Sequence, residues 1–260
     1  MPPVALSTAS VWPERIDRAF LLAAELGYDG VEVMVWTDPA SQQVPALAGL
    51  AREYGVPVLA LHAPCLLISQ RVWDGDPVRR LRRSAEVSAE LGAPTMVIHP
   101  PFRWQRRYAQ CFRDEVLAAE ESTGVRIAVE NMFPIRRAGL AFSAFHPTHD
   151  PTNPGYSHYT LDLSHTAVSG VDAIDLMNRM GPGLVHLHLG DGSGSPRDEH
   201  LVPGHGTQPC AEVCERLGRG TFDGTVAVEI NTRYLQSRDQ RVTAISESLL
   251  FARLHLEPVR

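Results

Sequence analysis

The chain has 260 residues, of which 44% are hydrophobic and 21% are charged, values typical of one large globular domain or two small ones. The net charge of −6 gives no general attraction for polyanions, although a local Arg run at residues 79–83 could provide one. All the basic residues are Arg, so a Schiff-base lysine mechanism and a lysine-bearing phosphate loop are both excluded.

Short apolar runs rich in Val, Ile and Leu alternate with amphipathic segments along the chain. Eight runs predict strands, at residues 4–10, 30–35, 57–64, 95–101, 126–132, 159–165, 184–191 and 225–231. Apolar residues at three- and four-residue spacing predict helices over 14–27, 44–55, 77–92, 108–124, 171–181, 208–220 and 240–256. Residues 136–158 interrupt the alternation with Pro, Asn, Thr and His, and predict a long loop or a degenerate fifth helix.

This alternation predicts an α/β fold. Eight strands and their helices in 260 residues match a single (β/α)8 TIM barrel over residues 1–260, with a degenerate or missing helix after the fifth strand. An open doubly wound sheet is the alternative. Because active sites of such barrels lie at the C-terminal ends of the strands, those positions are the candidates for chemistry.

Two features bear on the location of the protein. Its four cysteines, Cys65, Cys111, Cys210 and Cys214, include no C-x-x-C pair and favour a reducing compartment over a disulfide framework. The first residues lack the basic and apolar regions of a signal peptide, and no apolar run approaches the roughly 18 residues of a membrane span. We therefore expect a cytoplasmic protein with no membrane partner.

Imidazole and carboxylate side chains stand at or just past the ends of the third to eighth strands. They are His62, His99, Glu130, Asp162 with His165, His188 and Glu229. A single residue of this kind is usually a solvated loop side chain, but here six consecutive strands carry one. Nitrogen and oxygen ligands without Cys suit Zn²⁺, Mn²⁺ or Fe²⁺ rather than a structural thiolate site. The pattern predicts a divalent-metal site.

The loop after the seventh strand adds Asp198 and His200, which can reach one centre if the chain is locally extended. A sharp turn at Gly204 and Gly206 could bring this pair back over the barrel mouth. A polar solvated loop is the alternative interpretation.

Other residues near the predicted mouth are candidates for substrate contact. Trp12, Trp36, Trp73 and Trp104 follow strand ends and could stack on a sugar ring, or could cap the barrel or an interface. Arg197 could bind a hydroxyl or phosphate group, or could be an exposed loop residue.

The ordered motifs HAP, VIHP, VEN, LDLSH, HLHLGD, DEHLVPGHG and VEI resemble the xylose isomerase-like barrel superfamily, which includes endonuclease IV and many sugar or sugar-phosphate isomerases and epimerases. The resemblance runs from roughly the second strand to the eighth. In the isomerase and epimerase branch it implies a catalytic metal held by Glu130, Asp162, His188 and Glu229. In the endonuclease IV branch it implies a three-metal cluster with the additional ligands His62, His99, His165, Asp198 and His200.

Two positions depart from the family pattern. Cys65 follows HAP, where endonuclease IV continues into an aromatic residue used against DNA. The usual G-E-G turn reads Gly204-His205-Gly206, so position 205 offers no carboxylate. Both departures concern the substrate rather than the metal ligands.

The sequence thus favours a sugar or sugar-phosphate isomerase or epimerase with one to three Zn²⁺ or Mn²⁺ ions, in which Glu130 and Glu229 transfer the proton. An endonuclease IV-like multi-zinc phosphodiesterase is the first alternative, so DNA stays open as a substrate. A barrel that binds a metal or sugar without turnover is the second. Self-assembly of the chain is also left open.

Overall fold

The computed structural model describes residues 1–137 and 140–257. Within them the strands are β1 (Val4–Ser7), β2 (Gly30–Met34), β3 (Val58–His62), β4 (Thr95–Ile98), β5 (Arg126–Glu130), β6 (Ile135–Arg137), β7 (Leu140–Phe142), β8 (His158–Asp162), β9 (Leu184–Leu189) and β10 (Thr225–Val228). Apart from β6 and β7, they pair in parallel in one closed barrel of order β1-β10-β9-β8-β5-β4-β3-β2. The predicted barrel is confirmed, and the open doubly wound sheet is wrong.

Helices surround the barrel. They are α1 (Ile16–Leu26), α2 (Val44–Tyr54), α3 (Pro77–Leu91), α4 (Arg106–Thr123), α5 (Leu163–Ser169), α6 (Ala173–Met180), α7 (Cys210–Arg219) and α8 (Arg238–Leu256). All seven predicted helices are present, and α5 is additional. In the part of the chain that the structure describes, no helix is both long and apolar enough to cross a membrane.

The barrel strands form because their side chains are buried on both faces, which accounts for their nearly continuous apolar runs. Leu6, Leu61, Met96, Leu161 and Leu187 are fully buried and belong to one large apolar core. A smaller set of polar side chains is buried on the strands as well, and this set includes Glu32 on β2 and His186 on β9. Since isolated charges are rarely buried, these residues point to a specific role.

The segment after β5, predicted as a long loop or a degenerate helix, contains a short hairpin. β6 and β7 form an antiparallel hairpin in which Ile135 pairs with Phe142. Between β5 and β8 the described residues contain no helix, which confirms the missing fifth helix; residues 138 and 139 of this segment lie outside the described residues. Phe145 then stacks on Phe102 with ring centroids 5.1 Å apart, so the segment packs against the loop that follows β4.

The start of β10 gives a test of barrel packing. A Cβ atom added at Gly224 would overlap the carbonyl oxygen of Val185, whereas one added at Gly75 would meet nothing within 4 Å. We expect Gly224→Ala to lower the free energy of unfolding by about 2 kcal/mol, the usual scale of overpacking. Gly75→Ala should change it by less than about 0.5 kcal/mol. Urea unfolding followed by circular dichroism measures both, and equal stabilities would contradict this packing.

Candidate metal centre

Nine predicted ligands meet at the C-terminal end of the barrel. Seven are buried and two, Asp198 and His200, are partly buried. Eight of them line one cleft of about 250 Å³, which we call the metal-ligand cleft: His62, His99, Glu130, Asp162, His165, Asp198, His200 and Glu229. His188 lies directly beneath these residues, in contact with three of their carboxylates.

The centre of the arrangement is Nδ1 of His188. It lies 3.3 Å from Oε1 of Glu130, 3.3 Å from Oδ2 of Asp162 and 3.0 Å from Oε2 of Glu229. One ring nitrogen carries at most one proton, so it cannot satisfy three carboxylates. Oδ2 of Asp162 is buried and has no hydrogen-bond partner among the described residues. Ligand atoms of Glu130, Asp162 and His188 lie within 4.8 Å of one another and could hold a metal ion.

Glu130 connects this group to two further histidines. Its Oε2 lies 3.3 Å from Nε2 of His62 and 3.1 Å from Nε2 of His99. These three residues form a second group whose ligand atoms could hold an ion. Both carboxylate oxygens of Glu130 therefore face imidazole nitrogens, because Oε1 also lies 3.2 Å from Nδ1 of His165 and 3.3 Å from Nδ1 of His188.

A third group lies beside the first two. Oδ2 of Asp198 is 3.4 Å from Nε2 of His165 and 3.0 Å from Nε2 of His200. Asp162, His165 and His200 also bring ligand atoms within 4.8 Å of one another. The cleft thus supplies three adjacent groups of nitrogen and oxygen ligands of the kinds that Zn²⁺ and Mn²⁺ take, and Glu32, His186 and His188 form a fourth, fully buried group beside them.

The electrostatics of these groups favour ionised carboxylates. Burial would raise the pKa of Glu130, but the charges of His188 and His99 outweigh it and hold that pKa well below its usual value. Burial would also raise the pKa of Asp198, but the charges of His200 and His165 outweigh burial and hold that pKa well below its usual value. Burial opposes protonation of His188, yet the carboxylates of Glu32, Glu229 and Glu130 raise its pKa well above the usual range. Positive charge is therefore favoured at the centre of the cleft.

A buried carboxylate lies behind the central histidine. Oε2 of Glu32 is 3.1 Å from Nε2 of His188 and 2.7 Å from Nε2 of His186, and all three side chains are fully buried. With the proton of His188 on Nε2 and directed at Glu32, the lone pair of Nδ1 faces the cleft. Glu32 and His186 were not predicted from the sequence, although Glu32 is a charged residue inside the apolar run GVEVMV.

Asn131 and Asp162 position the ligands after β5 and β8. The side-chain amide of Asn131 donates to the backbone oxygen of Asp162 at 3.0 Å, and its oxygen accepts from the backbone N–H of Asp162 at 2.7 Å. Oδ1 of Asp162 accepts from the N–H of His165 at 2.7 Å and caps α5. Oδ1 of Asp162 therefore caps the N-terminus of α5, and Oδ2 is left facing the cleft.

The loop carrying Asp198 and His200 is anchored by Asp191. The Asp191 carboxylate accepts from the N–H groups of Gly204 (2.9 Å) and Gly206 (3.0 Å), and also from those of residues 192 and 208. A Cβ at Gly206 would overlap this carboxylate, which accounts for the second Gly of the turn. The turn returns the chain to the barrel mouth, as the sequence led us to expect.

His200 adopts a left-handed backbone conformation, with φ of 44°, that non-Gly residues rarely take. Its N–H donates to Oγ of Ser164 at 3.0 Å, and its Nδ1 lies 3.0 Å from the carbonyl oxygen of Glu229. These contacts direct Nε2 toward Asp198.

Some of the predicted substrate-contact residues line the cleft and others do not. Trp12 and Trp36 line the metal-ligand cleft. Trp104, Trp73 and Arg197 are not among the described residues that line the cleft. Trp104 stacks on Phe102, and the indole N–H of Trp73 donates to the carbonyl oxygen of residue 42. Arg197 is exposed on its loop. The arginine at the cleft is Arg233, which the sequence analysis did not single out.

The two departures from the family pattern also have defined environments. Cys65 is half-buried, its Sγ accepts from the N–H of His99 at 3.4 Å, and burial raises its pKa to about 12, so it stays a neutral thiol. Nε2 of His205 lies 2.7 Å from Oε1 of Glu247 on an exposed surface outside the cleft. Neither residue is in a position to act as a ligand.

The closed barrel and the His, Asp and Glu side chains grouped at its strand ends define a (β/α)8 protein whose mouth could hold metal ions. Residues 20–255 match the family described as xylose isomerase-like TIM barrel, and the chain belongs to this family.

Two related proteins align with nearly the whole chain. The Mycobacterium tuberculosis protein Rv0498 is 54% identical over 97% of each chain. Fructoselysine 3-epimerase of Escherichia coli O157:H7 is 24% identical over 94% of this chain and 92% of its own.

Solved structures show the same fold. A D-tagatose 3-epimerase-like protein superimposes with a TM-score of 0.67 at 22% identity, covering 97% of this chain and 98% of its own. An AP endonuclease, family 2, from Brucella melitensis superimposes with a TM-score of 0.67 at 17% identity, covering 90% of this chain and 94% of its own. At these identities the likeness establishes the fold alone.

The carboxylate behind His188 generates a test. We expect Glu32→Gln to weaken divalent-metal binding about 10- to 100-fold, because residues that orient a ligating imidazole contribute on this scale. Glu247→Gln is the matched control, since Glu247 also pairs with a histidine Nε2 but outside the cleft. Competition of Zn²⁺ with a chromophoric chelator gives the affinities, and circular dichroism checks the fold. Unchanged affinity in folded Glu32→Gln would exclude the positioning role.

Proposed function

We propose that this protein is a divalent-metal-dependent isomerase or epimerase of a small sugar. The observation that carries the proposal is the meeting of Glu130, Asp162 and Glu229 at Nδ1 of His188. These are the four ligands that the resemblance to the isomerase and epimerase branch implies. Oδ2 of Asp162 has no hydrogen-bond partner among the described residues, which supports a cation at this position, because a buried carboxylate oxygen without a hydrogen bond is unfavourable.

Carboxylates on two sides of the central histidine suit proton transfer. A divalent ion bound there would polarise the substrate carbonyl and acidify the neighbouring C–H bond. Glu130 on β5 and Glu229 just past β10 approach His188 from different strands, so each could face one side of a bound sugar. One would remove the proton next to the carbonyl, and the other would return a proton, either to the opposite face or to the adjacent carbon.

The two carboxylates differ in how tightly they are held. Glu130 is 1% exposed and lies close to four histidines, whereas Glu229 is 8% exposed and has His188 as its ion-pair partner within the described residues. Glu130 therefore has the larger share in holding metal ions, and both carboxylates serve in proton transfer.

The dimensions and walls of the cleft support a small substrate. Its volume of about 250 Å³ lies slightly below the usual range for drug-sized ligands. Trp12 and Trp36 provide aromatic faces against which the C–H side of a sugar ring can pack. The sugar epimerases among the relatives and structural neighbours agree with this assignment.

A metal-dependent phosphoester hydrolase is the second candidate. The specific observation in its favour is the complete set of nine ligands in three adjacent groups, since a single-metal isomerase requires only four. Several ions would activate water and stabilise the leaving oxygen of an in-line displacement.

Neutralising either proposed proton-transfer residue should abolish turnover. We expect Glu130→Gln and Glu229→Gln to lower kcat by at least about 100-fold on the ketose that the parent protein converts, as loss of general acid–base catalysis does. Glu130→Gln should also lose more bound metal, because Glu130 contacts more of the ligand groups. Activity and elemental analysis are measured on each variant, with Glu247→Gln as the control. Turnover retained by metal-loaded Glu229→Gln would contradict the mechanism.

The loop pair separates the two candidate functions. In a multi-metal hydrolase, Asp198→Ala with His200→Ala should lower the metal content by about one ion per chain, because each ion needs its own share of ligands. In a single-metal isomerase the metal content should stay the same. Elemental analysis of this double variant and the parent, with assays on a ketose panel and on an abasic-site duplex, distinguishes them. Duplex cleavage by the parent together with a lowered metal content would overturn the sugar assignment.

A further inference from the structure

Arg233, in the loop after β10, has a distinctive place in the metal-ligand cleft. Because the chain contains no Lys, every permanently charged cation on its side chains is an Arg. Among the described residues that line the cleft, Arg233 is the one side chain of this kind. The other lining side chains that can carry positive charge are the histidines already placed as ligands.

The guanidinium group of Arg233 is held by an aromatic ring rather than by a carboxylate. It lies over the ring of Tyr234, 4.6 Å from the centroid, and donates to the Tyr234 hydroxyl. In the part of the chain that the structure describes, no carboxylate oxygen lies within 4.0 Å of it. Arg238 and Arg241, a few residues further on, both pair with Glu14 at 3.0 and 3.4 Å. Arg233 is therefore exposed, and its charge has no carboxylate partner among the described residues.

This arrangement suits recognition of an anion. A planar guanidinium can donate two parallel hydrogen bonds to a phosphate or carboxylate group, and stacking on an aromatic ring reduces the freedom lost on binding. The carboxylates of the same cleft would otherwise repel an anionic ligand. A neutral sugar would leave the charge of Arg233 unused.

We infer that Arg233 binds the oxyanion group of an anionic sugar, a phosphate ester or a carboxylate, while the carbonyl end of that sugar lies among the metal ligands. The inference rests on the proposed sugar isomerase or epimerase function and narrows its substrate class. It makes Arg233, rather than Arg197, the residue that selects anionic over neutral sugars.

The first test compares substrates. The metal-loaded parent, Arg233→Gln and the control Arg197→Gln are assayed on a neutral ketose, its phosphate monoester and a sugar carrying a carboxylate. We expect Arg233→Gln to lower kcat/KM about 10- to 100-fold for the anionic sugars, the scale of hydrogen bonds to charged groups, and less than about threefold for the neutral ketose. Whichever anionic sugar loses more identifies the preferred group. An equal loss on neutral and anionic sugars would overturn the inference.

The second test does not depend on turnover. Binding of inorganic phosphate is followed by tryptophan fluorescence, since Trp12 and Trp36 line the cleft, with and without a chelator. Phosphate binding should weaken at least about tenfold in Arg233→Gln under both conditions and stay unchanged in Arg197→Gln. If no sugar is converted but this dependence holds, the proposed reaction fails and anion recognition stands. If phosphate binds equally to the parent and Arg233→Gln, the role of Arg233 is overturned whatever the reaction is.

Discussion

Compensation of buried negative charge governs the structure of the barrel mouth. Glu32, Glu130, Asp162 and Glu229 are each at most 8% exposed, and burial of an ionised carboxylate carries a penalty of several kcal/mol unless partners offset it. The surrounding imidazoles supply those partners, but Nδ1 of His188 is shared by three carboxylates and can serve only one. A cation at that point would complete the balance, so the charges at the mouth are arranged as a metal site would require.

Much of this arrangement could be predicted from the sequence. Strands buried on both faces require unbroken apolar runs, and the ligands stand where those runs end, so the fold and the positions of residues such as Asp162 and Glu229 follow together. Glu32 could not be predicted in this way, because it lies within an apolar run rather than at its end. In a strand with no polar face, alternation does not reveal which side chains point into the barrel. Arg233 was missed because its loop has no periodicity, and only the three-dimensional cleft relates it to the ligands.

Other differences arise from interactions that are distant in sequence. The seven-residue helix α5 was not expected, because a segment this short has little intrinsic helical stability and depends on its cap by Asp162. The β6–β7 hairpin lies in a segment dominated by turn-forming residues, where the predicted loop was the simpler interpretation. Arg197 and Trp104 follow strand ends as Trp36 does, but the paths of their loops direct them away from the cleft.

The anchoring of the loop by Asp191 would affect the binding of an ion at the barrel mouth. The backbone N–H groups of residues 192, 204, 206 and 208 all donate to the Asp191 carboxylate, so both ends of the loop are held by hydrogen bonds in the absence of a ligand. The conformational entropy of ordering these residues is therefore lost when the chain folds rather than when an ion binds. Asp198 and His200 are therefore held in position in advance, and an ion that bound there would displace only water and the protons of the imidazole ligands.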